Sequence, residues 1–214
     1  KAFNPEEKEK LSVASLSELS RHLPDFDFET HADMLGVSFN CTVVNKINAN
    51  DDGVGGFVGA EIAKLFVNTF INENHDRKLG AKGFITNYGF SHFGTDLPMT
   101  EEEARVAVAP YHIVLGGILW RLIDKKLTNY VENCSEDLSC GSPVSASWEI
   151  GFSNNNLLLL PKGKVDYVDG IIVAESDKDY EKISNCLKSN GGNGGWEGFR
   201  VCRDILMPAL PLGI

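Results

Sequence analysis

Apolar positions along this chain fall mostly into short alternating or continuous runs, with a few stretches at helical spacing between them. "MLGVSFNCTVVNKI" (34–47) is β-branched and partly alternating, which predicts a strand closed by the turn "NANDDG". "GGFVGAEIAKLFVNTFI" (55–71) puts Ile62, Leu65 and Phe66 on one helix face and runs on into a short strand ahead of His75. "GFITNYGF" (83–90) and "YHIVLGGILWRLI" (111–123) read as strands, the second buried. Between them "GTDLPMTEEEARVAVAP" (94–110) reads as a loop with Thr100 as a cap before an acidic turn.

"DKKLTNYVENCSEDL" (124–138) is an amphipathic helix, and "VSASWEIGF" (144–152) alternates as a strand. A hairpin over 157–175, a helix over 177–189, a glycine-rich loop at 190–195 and a last strand, "FRVCRDILM" (199–207), complete the pattern. Residues 1–33 form a leader, helical or partly loose, with acids early and Leu11, Leu16 and Leu19 as its apolar positions. Many strands among a few helices, without βαβ alternation or internal repeat, predict a mixed α/β (α+β), mainly antiparallel fold over 34–214.

Composition changes this picture little. At 214 residues the chain suits one domain with an appendage and is long enough to bury a core unaided. A net charge of −10 without a basic block argues against nucleic acid as a partner. The longest apolar run, "IVLGGILW", is too short to cross a bilayer, so no membrane partner is expected. The opening "KAFNPEEKEK" has no apolar core of secretory type, and Lys1 in place of Met suggests a processed end. Five widely spaced cysteines suit reduced thiols. Cys134 and Cys140 lack a partner pair, so neither metal nor other cofactor is expected.

Candidate chemistry starts from exclusions. The glycines of "DDGVGGFVGAEIAKL" precede a helix but match neither the dinucleotide nor the P-loop spacing, and no HExxH, EF-hand or GxSxG element occurs. In "PVSASWEIGF" (143–152), Val144, Ala146, Trp148, Ile150 and Phe152 share one face. Ser145, Ser147, Glu149 and Gly151 share the other, so two hydroxyls and a carboxylate stand opposite a core face. On pattern alone, a half-exposed strand with small polar residues outside is the favoured account. His75, between Asn74 and Asp76, is on pattern alone a surface or capping residue as readily as a base. His92 and His112 are also open, while His22 and His31 lie in the leader.

The order of "FINENHDRKLGAKGF" (70–84) and, some seventy residues later, "VSASWEIGF" resembles the prohead (capsid maturation) proteases of tailed bacteriophages, which share a fold with the herpesvirus assemblins. The matching elements are Asn74-His75-Asp76 with Gly80, and Ser147-Trp148-Glu149 after a strand and helix at 111–134. The resemblance implies an assemblin-like, β-barrel-like core flanked by helices. It implies a serine endopeptidase that works inside the phage prohead, assembled in the bacterial host cytoplasm, cleaves scaffold and capsid proteins and itself, and leaves room for self-association. It gives His75 as base, Ser147 as nucleophile and, from "FRVCRDILMPALPLG", Asp204 as the orienting acid, with Glu149, Asp76 and Asp169 as alternatives. Glu149 and Ser145 are candidate site-shaping residues, Ser145 also being the rival nucleophile. No arginine pair follows Asp204, so the oxyanion donors are left to backbone N–H groups. The competing expectation is a non-enzymatic β-rich phage assembly protein (capsid, scaffold or tube) that shares the barrel.

Overall fold

The computed structural model describes residues 33–134 and 146–214. The leader, apart from Asp33, lies outside the described residues, as do His22, His31, Cys140 and Ser145. In chain order the elements are β1 (Met34–Val44), β2 (Asp52–Val54), α1 (Gly56–Leu65), β3 (Phe70–Asn72), β4 (Ala81–His92) and β5 (Pro98–Met99). Then come α2 (Glu101–Val106), β6 (Tyr111–Trp120), α3 (Lys125–Cys134), β7 (Glu149–Phe152), β8 (Asn155–Pro161) and β9 (Ile171–Val173). The chain ends with α4 (Tyr180–Ser184), β10 (Gly195–Trp196), β11 (Phe199–Ile205) and β12 (Ala209–Gly213).

Two five-stranded sheets dominate. The first has the order β1-β6-β4-β3 with β5 on β4, all antiparallel; the second has β10-β11-β8-β9, with β2 running parallel to β11. β7 and β12 form an antiparallel pair of their own. The fold is therefore mixed α/β with mainly antiparallel sheets. No closed barrel forms among the described residues, which corrects the barrel-like expectation. The hydrogen bonding shows why: past β1 the chain meets the second sheet through isolated bridges, Lys46–Asp166 and Ile47–Gly53, and single bonds such as Asn45 N–H to Val54 O, not through a continuous ladder.

Apart from His112 near its start, β6 is apolar because it is central, buried on both faces between β1 and β4. It also meets its neighbour closely: a Cβ on Gly83 would fall 1.8 Å from the Ile118 carbonyl oxygen, so only glycine fits there. α1 buries Val58, Ile62 and, just past its end, Phe66 against this sheet, whereas Leu65 points outward. The expected face was thus right for Ile62 and Phe66 and wrong for Leu65, which lies round the helix from the Val58–Ile62–Phe66 row. The run of four leucines in β8 serves two cores. Leu157 and Leu159 pack with Val173, Ile183 and Val201, while Leu158 and Leu160 pack with Ile47, Cys202 and Tyr167.

The segment expected as a capped loop is a short helix, α2. Thr100 Oγ1 accepts from the Glu103 N–H and the Glu103 carboxylate accepts from the Thr100 N–H, so both ends of a capping box are made. The expected strand at 144–152 is shorter than its alternation suggests. Only Glu149–Phe152 has a ladder partner, in β12, although Ala146, Trp148, Ile150 and Phe152 all pack on the main core.

Candidate active site

β12 explains how distant segments meet. On one side it pairs with β7, with Gly213 opposite Glu149. Beyond its end, the Ile214 carbonyl accepts from the Asn72 N–H at 2.7 Å and the Ile214 N–H donates to Phe70 O at 3.3 Å. The strand that leads into His75 and the strand that follows Ser147 are thereby held on either side of one C-terminal strand.

Past β3 the chain turns tightly over Glu73–His75. Asn74 has φ 50° and ψ 32°, and His75 has φ 56°. Asparagine and histidine visit this left-handed region more readily than other non-glycine residues, which suits Asn-His at this turn. Such conformations cost free energy and persist only where surrounding contacts over-determine them. Here the Asp76 N–H donates to Glu73 O at 2.9 Å, the Asp76 carboxylate accepts from the Lys78 N–H at 2.9 Å, and Gly80 at φ 77° releases the chain into β4.

Ser147 is fixed from beneath. Its neighbours Ala146 and Trp148 pack on the core, and the Trp148 ring stacks on Phe66 with centroids 5.5 Å apart. The alternation read from the sequence therefore operates at this point even though the ladder begins only at Glu149. Ser147 is turned outward and exposed, and the His75 Nε2 lies 2.6 Å from its Oγ. That distance is within reach for a base and a hydroxyl nucleophile. Such an imidazole can take the hydroxyl proton as the oxygen attacks a carbonyl, and return it to the leaving group.

Asp204 is not brought to this pair. It sits in β11 between Asn156 of β8 and Gly53 of β2, almost wholly buried. Its carboxylate accepts from the Tyr167 hydroxyl at 3.1 Å and from Asn156 Nδ2 at 3.3 Å. Burial holds its carboxyl above the ordinary value, opposed by those two hydrogen bonds, and the Tyr167 phenol is raised in turn by burial and by the neighbouring carboxylate. A mid-strand carboxylate needs partners, as the sequence suggested; the partners are Tyr167 and Asn156, and Asp204 makes no hydrogen bond to His75. The His75 Nδ1 is buried and has no hydrogen-bond partner among the described residues.

The other candidates are placed elsewhere or in different roles. Asp76 caps its own turn and Asp169 pairs with Lys164 at 3.4 Å. His112 stacks on Phe93 and its Nε2 accepts from the Gly94 N–H at 3.4 Å; His92 ends β4 and faces solvent. Glu149 is beside the site and lies 3.6 Å from Arg77 Nη2. Arg77 was not anticipated. The signal for it was present, since Arg77 follows His75 by two residues and Glu149 follows Ser147 by two, with opposite charges. Arg77 and Asn72 also line a cleft of about 410 Å³ with Phe70, Pro211 and Leu212. Among the described residues no group of three His, Cys, Asp or Glu side chains is placed to hold a metal ion, and no helix is long and apolar enough to cross a membrane.

No protein-family model matches the chain, and neither a curated protein nor a solved structure matches it.

Proposed function

We propose that this chain is a serine endopeptidase of the phage prohead type, with Ser147 as nucleophile and His75 as general base. One observation carries the reading: two residues 72 positions apart in the chain stand with Nε2 and Oγ 2.6 Å apart. A serine hydroxyl is a poor nucleophile near neutral pH, and a base at this distance is what activates it. Ser147 attacks a peptide carbonyl, His75 takes the proton, and the protonated imidazole then delivers it to the departing amine. Backbone N–H groups near Ser147 are the candidate donors for the oxyanion, a contribution of about 3 kcal/mol for each donor. On this reading the fold is assemblin-like and the substrates are scaffold and capsid proteins and the chain itself. The place of action is the prohead interior, in the bacterial host cytoplasm.

The second reading, a non-catalytic phage assembly protein, is favoured by one observation, the unpaired and buried Nδ1 of His75. Mass spectrometry of the incubated protein separates the two. The wild type should accumulate self-cleavage products, while Ser147→Ala and His75→Ala stay intact. Identical products from Ser147→Ala would assign the cleavage to another nucleophile or a contaminant and remove Ser147 from the role, and a wild type that stays intact would sink the endopeptidase reading.

A further inference from the structure

We propose that Arg77 is a positioning residue for the His75–Ser147 pair, acting by tying the turn that carries His75 to both strands beside it. The inference rests on the serine-hydrolase reading of that pair. Arg77 Nη2 donates to the Leu212 carbonyl of β12 at 3.2 Å and lies 3.6 Å from Glu149 Oε2, at the start of β7. Leu212 precedes Gly213, which faces Glu149 across the ladder, so one guanidinium spans the His75 turn, β12 and the strand that follows Ser147.

The turn needs such a tie. Its own bonds, from Asp76 N–H to Glu73 O and from Lys78 N–H to the Asp76 carboxylate, shape it but do not anchor it to β7 or β12. Among the described residues, Arg77 supplies the side-chain link from this turn to those strands besides His75 itself. Asn74 and His75 stand at positive φ, a conformation that relaxes when its surroundings let go. Both contacts run through Nη2, which donates to the Leu212 carbonyl while its positive charge faces the Glu149 carboxylate. Arg77 and Glu149 are both well exposed, so their ion pair contributes little to overall stability. The effect of losing it falls on the geometry of the pair.

The test uses the whole chain and an alkyl fluorophosphonate, which phosphonylates an activated serine oxygen with loss of fluoride. Intact-mass kinetics give the maximal labelling rate and the probe's apparent affinity separately; a thermal melt is run beside them. Arg77→Met should lower the maximal rate by about ten- to a hundredfold, as small misplacements of catalytic groups do, with probe affinity and melting midpoint unchanged. Glu149→Gln, which leaves the Leu212 link in place, should cost less, and Arg77→Lys should recover part of the loss. Arg77→Met labelling at the wild-type rate, or slowing only in step with a fall in melting midpoint, overturns the proposal alone. A wild-type protein that does not label at Ser147 overturns the serine-hydrolase reading and this proposal with it.

Discussion

Asp204 offers the sharpest quantitative test, because its structural and catalytic roles make opposite demands. Tyr167→Phe removes the hydroxyl that donates to the carboxylate at 3.1 Å and leaves Asn156 as its partner. A hydrogen bond to a charged group contributes about 1.5–3 kcal/mol, so Tyr167→Phe should cost about 2 kcal/mol at neutral pH. The pH dependence fixes the sign. Asp204 has its folded value raised above the unfolded one by burial, so its contribution to stability is fully present below the ordinary carboxylate range. It is lost as pH rises through the raised folded value. Losing the tyrosine donor withdraws support from the ionised form, so the cost of Tyr167→Phe should grow as pH rises across that window. Asp204→Asn should flatten the dependence, and the double variant should show coupling between the two sites. Urea titrations from pH 3 to 8 measure all of this, with Ser147 labelling recorded on the same samples. A cost of Tyr167→Phe that does not change with pH would refute the account of the network. A folded Asp204→Asn that labels orders of magnitude more slowly would return Asp204 to the catalytic machinery.

Three further outcomes are expected. Trp148→Ala removes the ring stacked on Phe66 and should cost about 3 kcal/mol, the low end for an aromatic truncation because Trp148 is only half-buried, with Trp148→Phe recovering most of it in thermal melts. Asn74→Ala forces a β-carbon without a compensating side-chain amide into a left-handed position and should cost about 1 kcal/mol, while Asn74→Gly is near neutral; equal melting points would contradict the strained-turn account. In the resting protein, ¹⁵N NMR should find the His75 proton on Nε2, donating to Ser147 Oγ, because Nδ1 has no acceptor among the described residues; a dominant Nδ1–H form would contradict this.

The parts of the fold that were legible in the sequence are those where one face decides the residue type. β6 reads as a buried strand because both of its faces are covered, and β11 because Val201 and Cys202 fill cores on opposite sides. Strand pairing was not legible. Nothing local in "ALPLG" says that β12 pairs with β7, or that Ile214 meets Phe70 and Asn72. Partner choice depends on which edges are left free once both large sheets have formed, and no local pattern encodes that. The barrel-like expectation failed for the same reason, since closure is a property of the last pairing.

The site divides along the same line. Ser147 was legible because its neighbours alternate: Ala146 and Trp148 must face the core, and that turns the hydroxyl outward. His75 became legible only through resemblance, since the physical mark of its turn is backbone conformation rather than composition. Asp204 was proposed for the pair on a sound premise, and its hydrogen bonds in the structure go to Tyr167 and Asn156 instead. A buried carboxylate does need a partner, but the premise is silent on which, and Tyr167 lies 37 residues away in a segment read as part of a hairpin. What distinguishes a working triad from a dyad is then the state of one nitrogen. With Nδ1 unpaired, the neutral imidazole keeps its proton on Nε2 at the lowest cost and acts as donor to the serine; to act as base it must carry the proton on Nδ1, buried without an acceptor. Loss of an orienting carboxylate in a serine protease lowers turnover about 10⁴-fold through this tautomer effect. If the proposed endopeptidase reading holds, the pair should hydrolyse slowly as it stands, and any acceptor brought to Nδ1 would accelerate it without altering the 2.6 Å contact.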